Sequence, residues 1–273
     1  MTANTLALAN GSKIPSIGFG TWELAPDAAR QAVAAALQAG YRLLDTARIY
    51  ENEEAVGKAI RATGIPREDI CVTTKLWNDD QGYDSALAAC DASLKRLGLE
   101  YVDLYLIHWP ATSRRGESWK ALIELQRQGR AMSIGVSNYA VRHLTELLSD
   151  SQVAPVVNQV EFHPFIYEQQ RELLEFCAQH HIIVEAYSPL SRLAKQVPPA
   201  IQAVADRIGR TPAQVVLRWC IQHGTIPLPR SRQPEHINAN LQVFDFALDA
   251  EAMAVLDGLS DGQRVTWDPA DMR

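Results

Sequence analysis

Short, nearly continuous apolar runs alternate along the chain with longer segments whose apolar residues recur at helical spacing. The runs are Ser16–Gly20, Tyr41–Asp45, Ile70–Lys75, Val102–His108, Met132–Ser137, Val156–Val160, Ile182–Tyr187 and Thr225–Leu228. Runs without polar alternation are what strands buried on both faces require, so they predict a parallel sheet covered by helices. The helical segments DAARQAVAAALQAG, NEEAVGKAIRATG and DSALAACDASLKRLG close on Gly40, Gly64 and Gly98, where a helix can stop in left-handed backbone. In TPAQVVLRWCIQHG, Thr211 is the expected N-cap, Pro212 opens the first turn and Gly224 marks the stop. Ahead of these, Leu6–Pro15 alternates and reaches Asn10-Gly11, which predicts a small hairpin.

Eight strand-like runs, spaced by roughly 25 to 30 residues and separated by helical patterns, predict an α/β fold: a (β/α)8 barrel behind the N-terminal hairpin. A doubly wound sheet has the same pattern and stays open as the alternative. No linker or low-complexity stretch interrupts residues 1–273, so a single domain is expected.

The apolar runs stop at polar side chains. Asp45, Lys75 and His108 each close a run, and Tyr50 follows Asp45 across a short connection. The other run ends carry Gly20-Thr21-Trp22, Ser137-Asn138, Gln159, Tyr187-Ser188 and Arg230-Ser231. Barrel enzymes place their chemistry at these carboxyl ends. Taken singly, Asp45 could be an N-cap, Tyr50 a core-edge aromatic, Lys75 a surface lysine and His108 a satisfied core histidine. Taken together, an acid, a phenol, an amine and an imidazole at one end of one sheet can tune and deliver a proton.

Composition narrows the field. A net charge of −6 argues against a general nucleic-acid or membrane surface. The four cysteines are scattered without a CxxC pair, which predicts packing in a reducing cytosol. The N-terminus lacks a signal-peptide pattern, and no stretch approaches the roughly 18 apolar residues of a membrane helix, so a cytoplasmic protein is expected. A metal-dependent barrel hydrolase would need gathered ligands. No HxH stands at the first strand, and His180-His181 falls at a helix end, so no metal is expected.

The order YRLLDTARIYENEEAVGKAI, VTTKLW, YVDLYLIHWP, IGVSN, NQVEFHP and EAYSPL resembles the aldo-keto reductase family, nearest its short bacterial 2,5-diketo-D-gluconate reductase members. The resemblance implies a (β/α)8 barrel that reduces aldehydes and ketones with a nicotinamide cofactor, working as a monomer. It makes Tyr50 the proton donor, Lys75 the cation that lowers the phenol's pKa, Asp45 the partner of Lys75, and His108 a neutral donor to the carbonyl oxygen. Gly18-Phe19-Gly20 lacks the third glycine of a Rossmann fingerprint, so the usual dinucleotide mode is not expected. By resemblance, Ser137, Asn138 and Gln159 hold the carboxamide, Tyr187 stacks on the nicotinamide, Ser188 and Leu190 line the pyrophosphate path, and Asn240 contacts adenine. Gly20, Thr21, Trp22 and Asp45 complete the cofactor wall.

Arg230, Ser231 and Arg232 stand where the family holds a 2′-phosphate, but His236 replaces a later arginine. That pattern predicts NADPH preference with some tolerance of NADH. By resemblance, Trp22, Trp77 and Trp109 are expected to wall the substrate pocket together with Tyr50 and His108, although singly each could be a buried core tryptophan. The loop after His108-Trp109-Pro110 is short beside the covering loops of the resembled family, which implies an open trough that could admit diketo sugar acids, 2-oxoaldehydes, β-keto esters or aromatic aldehydes. The rival class is a non-catalytic nucleotide-binding barrel serving as a redox sensor or auxiliary subunit.

Overall fold

The computed structural model describes residues 4–111, 113–191, 193, 196–269 and 272. The antiparallel strands β1 (Thr5–Ala7) and β2 (Lys13–Pro15) form the hairpin. Its turn is wider than Asn10-Gly11 alone. The Gly11 N–H donates to the Leu8 carbonyl at 2.9 Å, the Leu8 N–H donates to the Ser12 carbonyl at 2.8 Å, and Gly11 sits at φ 86°. This is a three-residue loop with glycine in the left-handed position. Leu8 and Ile14 pack on Leu43, Leu104, Val157 and Ile226, so the hairpin plugs the barrel at the end opposite the polar rim.

From the hairpin, β3 (Phe19–Gly20) leads to α1 (Pro26–Ala39), β4 (Leu43–Asp45) to α2 (Glu53–Thr63), and β5 (Cys71–Leu76) to α3 (Tyr83–Leu97). Next, β6 (Val102–Ile107) leads to α4 (Arg115–Arg127), β7 (Ala131–Ser137) to α5 (Val141–Asp150), and β8 (Val157–Glu161) to α6 (Tyr167–Gln179). The strand β9 (Ile183–Tyr187) precedes two helices, α7 (Pro199–Ile208) and α8 (Pro212–Gln222). Then come β10 (Ile226–Leu228), α9 (Pro234–Leu241) and α10 (Ala250–Asp257). The predicted stops hold α1, α2 and α3, with Gly40, Gly64 and Gly98 in left-handed backbone. Thr211 and Gln214 form a reciprocal capping box at the start of α8.

Strands β3 to β10 pair in sequence order, all parallel. The ends of this sheet meet. Gly18 N–H donates to the Pro227 carbonyl and Gly20 N–H to the Pro229 carbonyl, both at 3.0 Å. A Cβ on Gly20 would stand 3.1 Å from the Leu228 carbonyl oxygen, and one on Gly18 only 2.5 Å from the Leu228 side chain. Two glycines therefore let the first and last strands close, and the sheet is a barrel rather than an open doubly wound sheet.

Outward strand residues such as Val72, Tyr105, Ile107, Val136 and Val160 pack beneath the helices. Each such buried side chain is worth about 1.5–3 kcal/mol relative to exposure. A second cluster around Phe162, Ile201, Trp219 and Leu256 secures α7, α8 and α10. Inside the barrel, the apolar floor of Leu43, Leu104, Leu106 and Val157 gives way upward to Asp45, Lys75, Gln159 and Glu185, all buried. Among the described residues, no helix is long and apolar enough to cross a membrane.

Candidate active site

Asp45 is the last residue of β4, Lys75 the penultimate residue of β5, and His108 the first beyond β6. Tyr50 ends a 3-10 turn, Arg48–Tyr50, that a buried polar staple fixes in place. The Asn52 amide donates to the Thr21 and Leu24 carbonyls at 2.9 and 3.1 Å and accepts from the Thr46 hydroxyl at 2.8 Å. Strand geometry thus sets three of the four side chains, and this staple sets the fourth.

Lys75 is fully buried. Its Nζ donates to both carboxylate oxygens of Asp45, to the Thr46 carbonyl at 3.0 Å and to the Tyr50 hydroxyl at 3.3 Å. A buried ammonium is tolerable only with such a partner. Burial raises the Asp45 carboxyl, while the charge and hydrogen bond of Lys75 and the amide of Gln159 pull it back. The Tyr50 phenol lies well above its ordinary 10, first through burial and then through the Asp45 charge. This direction is opposite to that expected from Lys75 alone. Asp45 neutralises the ammonium, so the resting phenol stays protonated. His108 is driven well below its usual 6.5 by burial first and Lys75 second, so its imidazole is neutral.

Aromatic rings line the opening. Trp22 lies 4.8 Å from Tyr50, Tyr50 lies 5.8 Å from His108, and Trp77 lies 5.2 Å from His108, centroid to centroid. On the next strands, Asn138 Nδ2 donates to the His108 carbonyl and to Ser137 Oγ, both at 3.0 Å. Ser137 Oγ donates to the Gln159 carbonyl at 2.8 Å, and Tyr187 donates to Asn138 Oδ1 at 2.8 Å. Asn138 and Ser188 hold left-handed backbone at φ 63° and 53°, uncommon without glycine. Among the described residues, no three His, Cys, Asp or Glu side chains gather to hold a metal ion.

The Aldo/keto reductase family pattern matches residues 16–261. The chain belongs to the aldo/keto reductase family. It is therefore an oxidoreductase. It is 50% identical over 267 residues to an aldo-keto reductase of Mycolicibacterium vanbaalenii, covering 97% of this chain and 95% of that one. It is 42% identical over 270 residues to the glyoxal reductase of Bacillus subtilis, covering 98% and 97%. The crystal structure of Bombyx mori aldo-keto reductase in complex with NADP superposes with a TM-score of 0.91 at 37% identity, covering 97% and 95%.

Two parts of this aldo/keto reductase site make contacts within the chain that the residue pattern did not name. Arg230 forms a 2.9 Å ion pair with Glu23 and donates to the Trp22 carbonyl at 2.7 Å, while Arg232 donates to the Glu23 carbonyl at 3.1 Å. The arginines therefore strap the β3 loop to the β10 loop. Ser231 accepts from the Gln233 N–H ahead of α9, where His236 is exposed and Asn240 buried. Trp109 is buried against Trp267, 5.6 Å away, rather than against the other tryptophans.

Trp267 belongs to the C-terminal tail, which Glu161 anchors. Its carboxylate accepts from the Val265 N–H at 2.7 Å and the Thr266 hydroxyl at 2.6 Å. Thr266 also meets the Tyr187 hydroxyl at 2.8 Å. Residue patterns missed Trp267, Thr266 and the role of Glu161. A buried glutamate inside NQVEFHP was the available signal, and nothing in the tail's spacing named its partner.

Proposed function

We propose that this reductase transfers hydride from NADPH to the carbonyl carbon of small aldehydes and ketones, with Tyr50 giving the proton and His108 holding the carbonyl oxygen. One observation carries the reading: the buried Asp45–Lys75 pair places its ammonium 3.3 Å from the Tyr50 hydroxyl. The NADP complex of the Bombyx mori relative supports the cofactor, and the glyoxal reductase of Bacillus subtilis supports the substrate class.

The wall beside the tetrad fits a nicotinamide carboxamide. Gln159 Nε2 donates to Asp45 at 3.2 Å and Glu185 at 2.7 Å, so its oxygen is what it presents to a ligand. The Asn138 amide protons are likewise committed to His108 and Ser137. What remains is acceptor capacity, which suits the two N–H groups of a carboxamide. Tyr187 would stack on the ring, with Gly20, Thr21, Ser188 and Leu190 along the pyrophosphate and Asn240 at adenine. The Glu23 carboxylate on Arg230 acts as a stand-in anion and supports a phosphate site at Arg230, Ser231, Arg232 and His236.

When bound, the cofactor supplies the hydride. As negative charge grows on the carbonyl oxygen, the protonated Tyr50 and the neutral His108 donate to it. Proton transfer leaves a phenolate beside the Lys75 ammonium. Lys75 then stabilises the product of the step rather than the resting phenol. Trp22 and Trp77 beside the tetrad, together with the Trp109–Trp267 pair, would wall an aromatic trough suited to 2-oxoaldehydes, aromatic aldehydes, β-keto esters and diketo sugar acids. Steady-state kcat/KM for that panel with NADPH and NADH, across about pH 6 to 8, tests the reading. NADH preference throughout would sink the cofactor assignment, and no turnover of any carbonyl would sink the activity.

A further inference from the structure

The barrel interior holds a titratable group that this chemistry does not use. Glu185 in β9 is fully buried. Strand alternation turns it inward with Ile183 and Tyr187, while Val184 and Ala186 pack toward the helices. Its Oε2 accepts from Gln159 Nε2 at 2.7 Å, and the same nitrogen donates to Asp45 Oδ1 at 3.2 Å. Gln159 thus bridges Glu185 to the buried ion pair. The other oxygen, Oε1, is buried with no donor.

The groups around Glu185 make its charge expensive. Gln159 faces it from β8, Asp45 from β4, Lys75 and the Cys71 thiol from β5, and apolar Ile226 from β10. Two carboxyl groups share that shell with one ammonium, and Lys75 already closes on both oxygens of Asp45. A second carboxylate would lack both a cation and a donor for Oε1, which a low-dielectric interior penalises heavily.

We infer that Glu185 is a protonation-dependent positioning residue of the tetrad. As a neutral carboxyl it steadies Gln159 against Asp45. As a carboxylate it sets a second negative charge near Lys75 and weakens the ammonium's hold on the phenolate formed at Tyr50. This rests on the reading of Tyr50 as proton donor. Burial first, and the Asp45 charge second, raise Glu185 from its usual 4.5 to about 7, against the pull of Gln159 and Lys75. Reduction therefore runs fastest below that value and slows as pH rises through it. Stability moves the same way. Between 4.5 and about 7 the folded chain keeps a proton that the unfolded chain has released, so the fold loses stability as pH climbs through that window.

The test uses the full chain with NADPH bound. kcat/KM for an aromatic aldehyde is followed from about pH 5.5 to 9 in wild type and in Glu185→Gln, whose amide mimics the neutral carboxyl. Wild type should fall by about tenfold or more through a limb near pH 7. Glu185→Gln should lose the limb and match wild type within about threefold at low pH. Survival of the same limb in the variant would overturn the inference. Infrared spectra of protein carrying carboxyl-13C glutamate add a readout free of turnover, and wild type alone suffices if the variant fails to fold. A labelled protonated carboxyl should vanish near pH 7 in wild type and be missing from a folded Glu185→Gln. Absence of that band in wild type overturns the role of Glu185 even in an active enzyme. A band that titrates as expected in a chain whose Tyr50→Phe variant keeps full turnover overturns the Tyr50 reading instead.

Discussion

The two sides of the barrel mouth hold their charges in opposite ways. Between β4 and β6, Lys75 and Asp45 are 0% and 4% exposed at the side chain. At the seam between β3 and β10, Arg230 and Glu23 pair at 38% and 59% exposure. The buried pair cannot rearrange, because removing one partner strands the other in a low dielectric. The surface pair is screened by solvent and can exchange Glu23 for another anion. On the proposed reading, proton chemistry would sit where charges are fixed, and cofactor selection where they can be traded.

The sharpest way to break that contrast is Lys75→Met. Urea unfolding should show a loss of about 3–5 kcal/mol, since Asp45 is left buried without its cation. Adding Asp45→Asn should recover much of it. Equal losses in the single and double variants would mean that the pair is not what holds this side together. On the exposed side, Arg230→Ala should raise KM for NADPH about 10- to 100-fold, the range of a lost charge-assisted hydrogen bond, and leave NADH nearly unchanged. Similar effects on both cofactors would show that Arg230 orders the loop rather than reads a phosphate. The smallest effect belongs to Glu23→Gln, which frees Arg230. KM for NADPH should drop by no more than about fivefold, and the gain should fade with added salt. A salt-independent gain would mean that Glu23 shapes the loop instead of competing for the arginine.

Much of the buried side was legible in the sequence because strand ends are legible. Asp45, Lys75 and His108 each terminate an apolar run, and parallel pairing in sequence order brings run ends together. Gly18 and Gly20 were visible as half a nucleotide fingerprint, but their work is steric: they admit the last strand against the first. Other features depend on contacts that spacing does not encode. Thr266 reaches Glu161 across 105 positions, and Trp267 reaches Trp109 from the tail. Glu185 stood in EAYSPL as one charge in an apolar run. Its inward position follows from its alternation with Ile183 and Tyr187, a pattern readable only once the strand's inner face is known. The Tyr50 phenol illustrates the remaining limit. A lysine nearby argues for a lowered pKa, and only geometry shows that Asp45 has already taken that charge.

The central claim is that Tyr50, set beside a buried ion pair, gives the proton. Single-turnover oxidation of bound NADPH by an aromatic aldehyde, compared between wild type and Tyr50→Phe with the cofactor Kd measured on the same samples, tests it most directly. The rate should fall by about 10²- to 10⁴-fold while Kd changes by less than about threefold. A rate within about threefold of wild type, or a loss carried wholly by Kd, would contradict it.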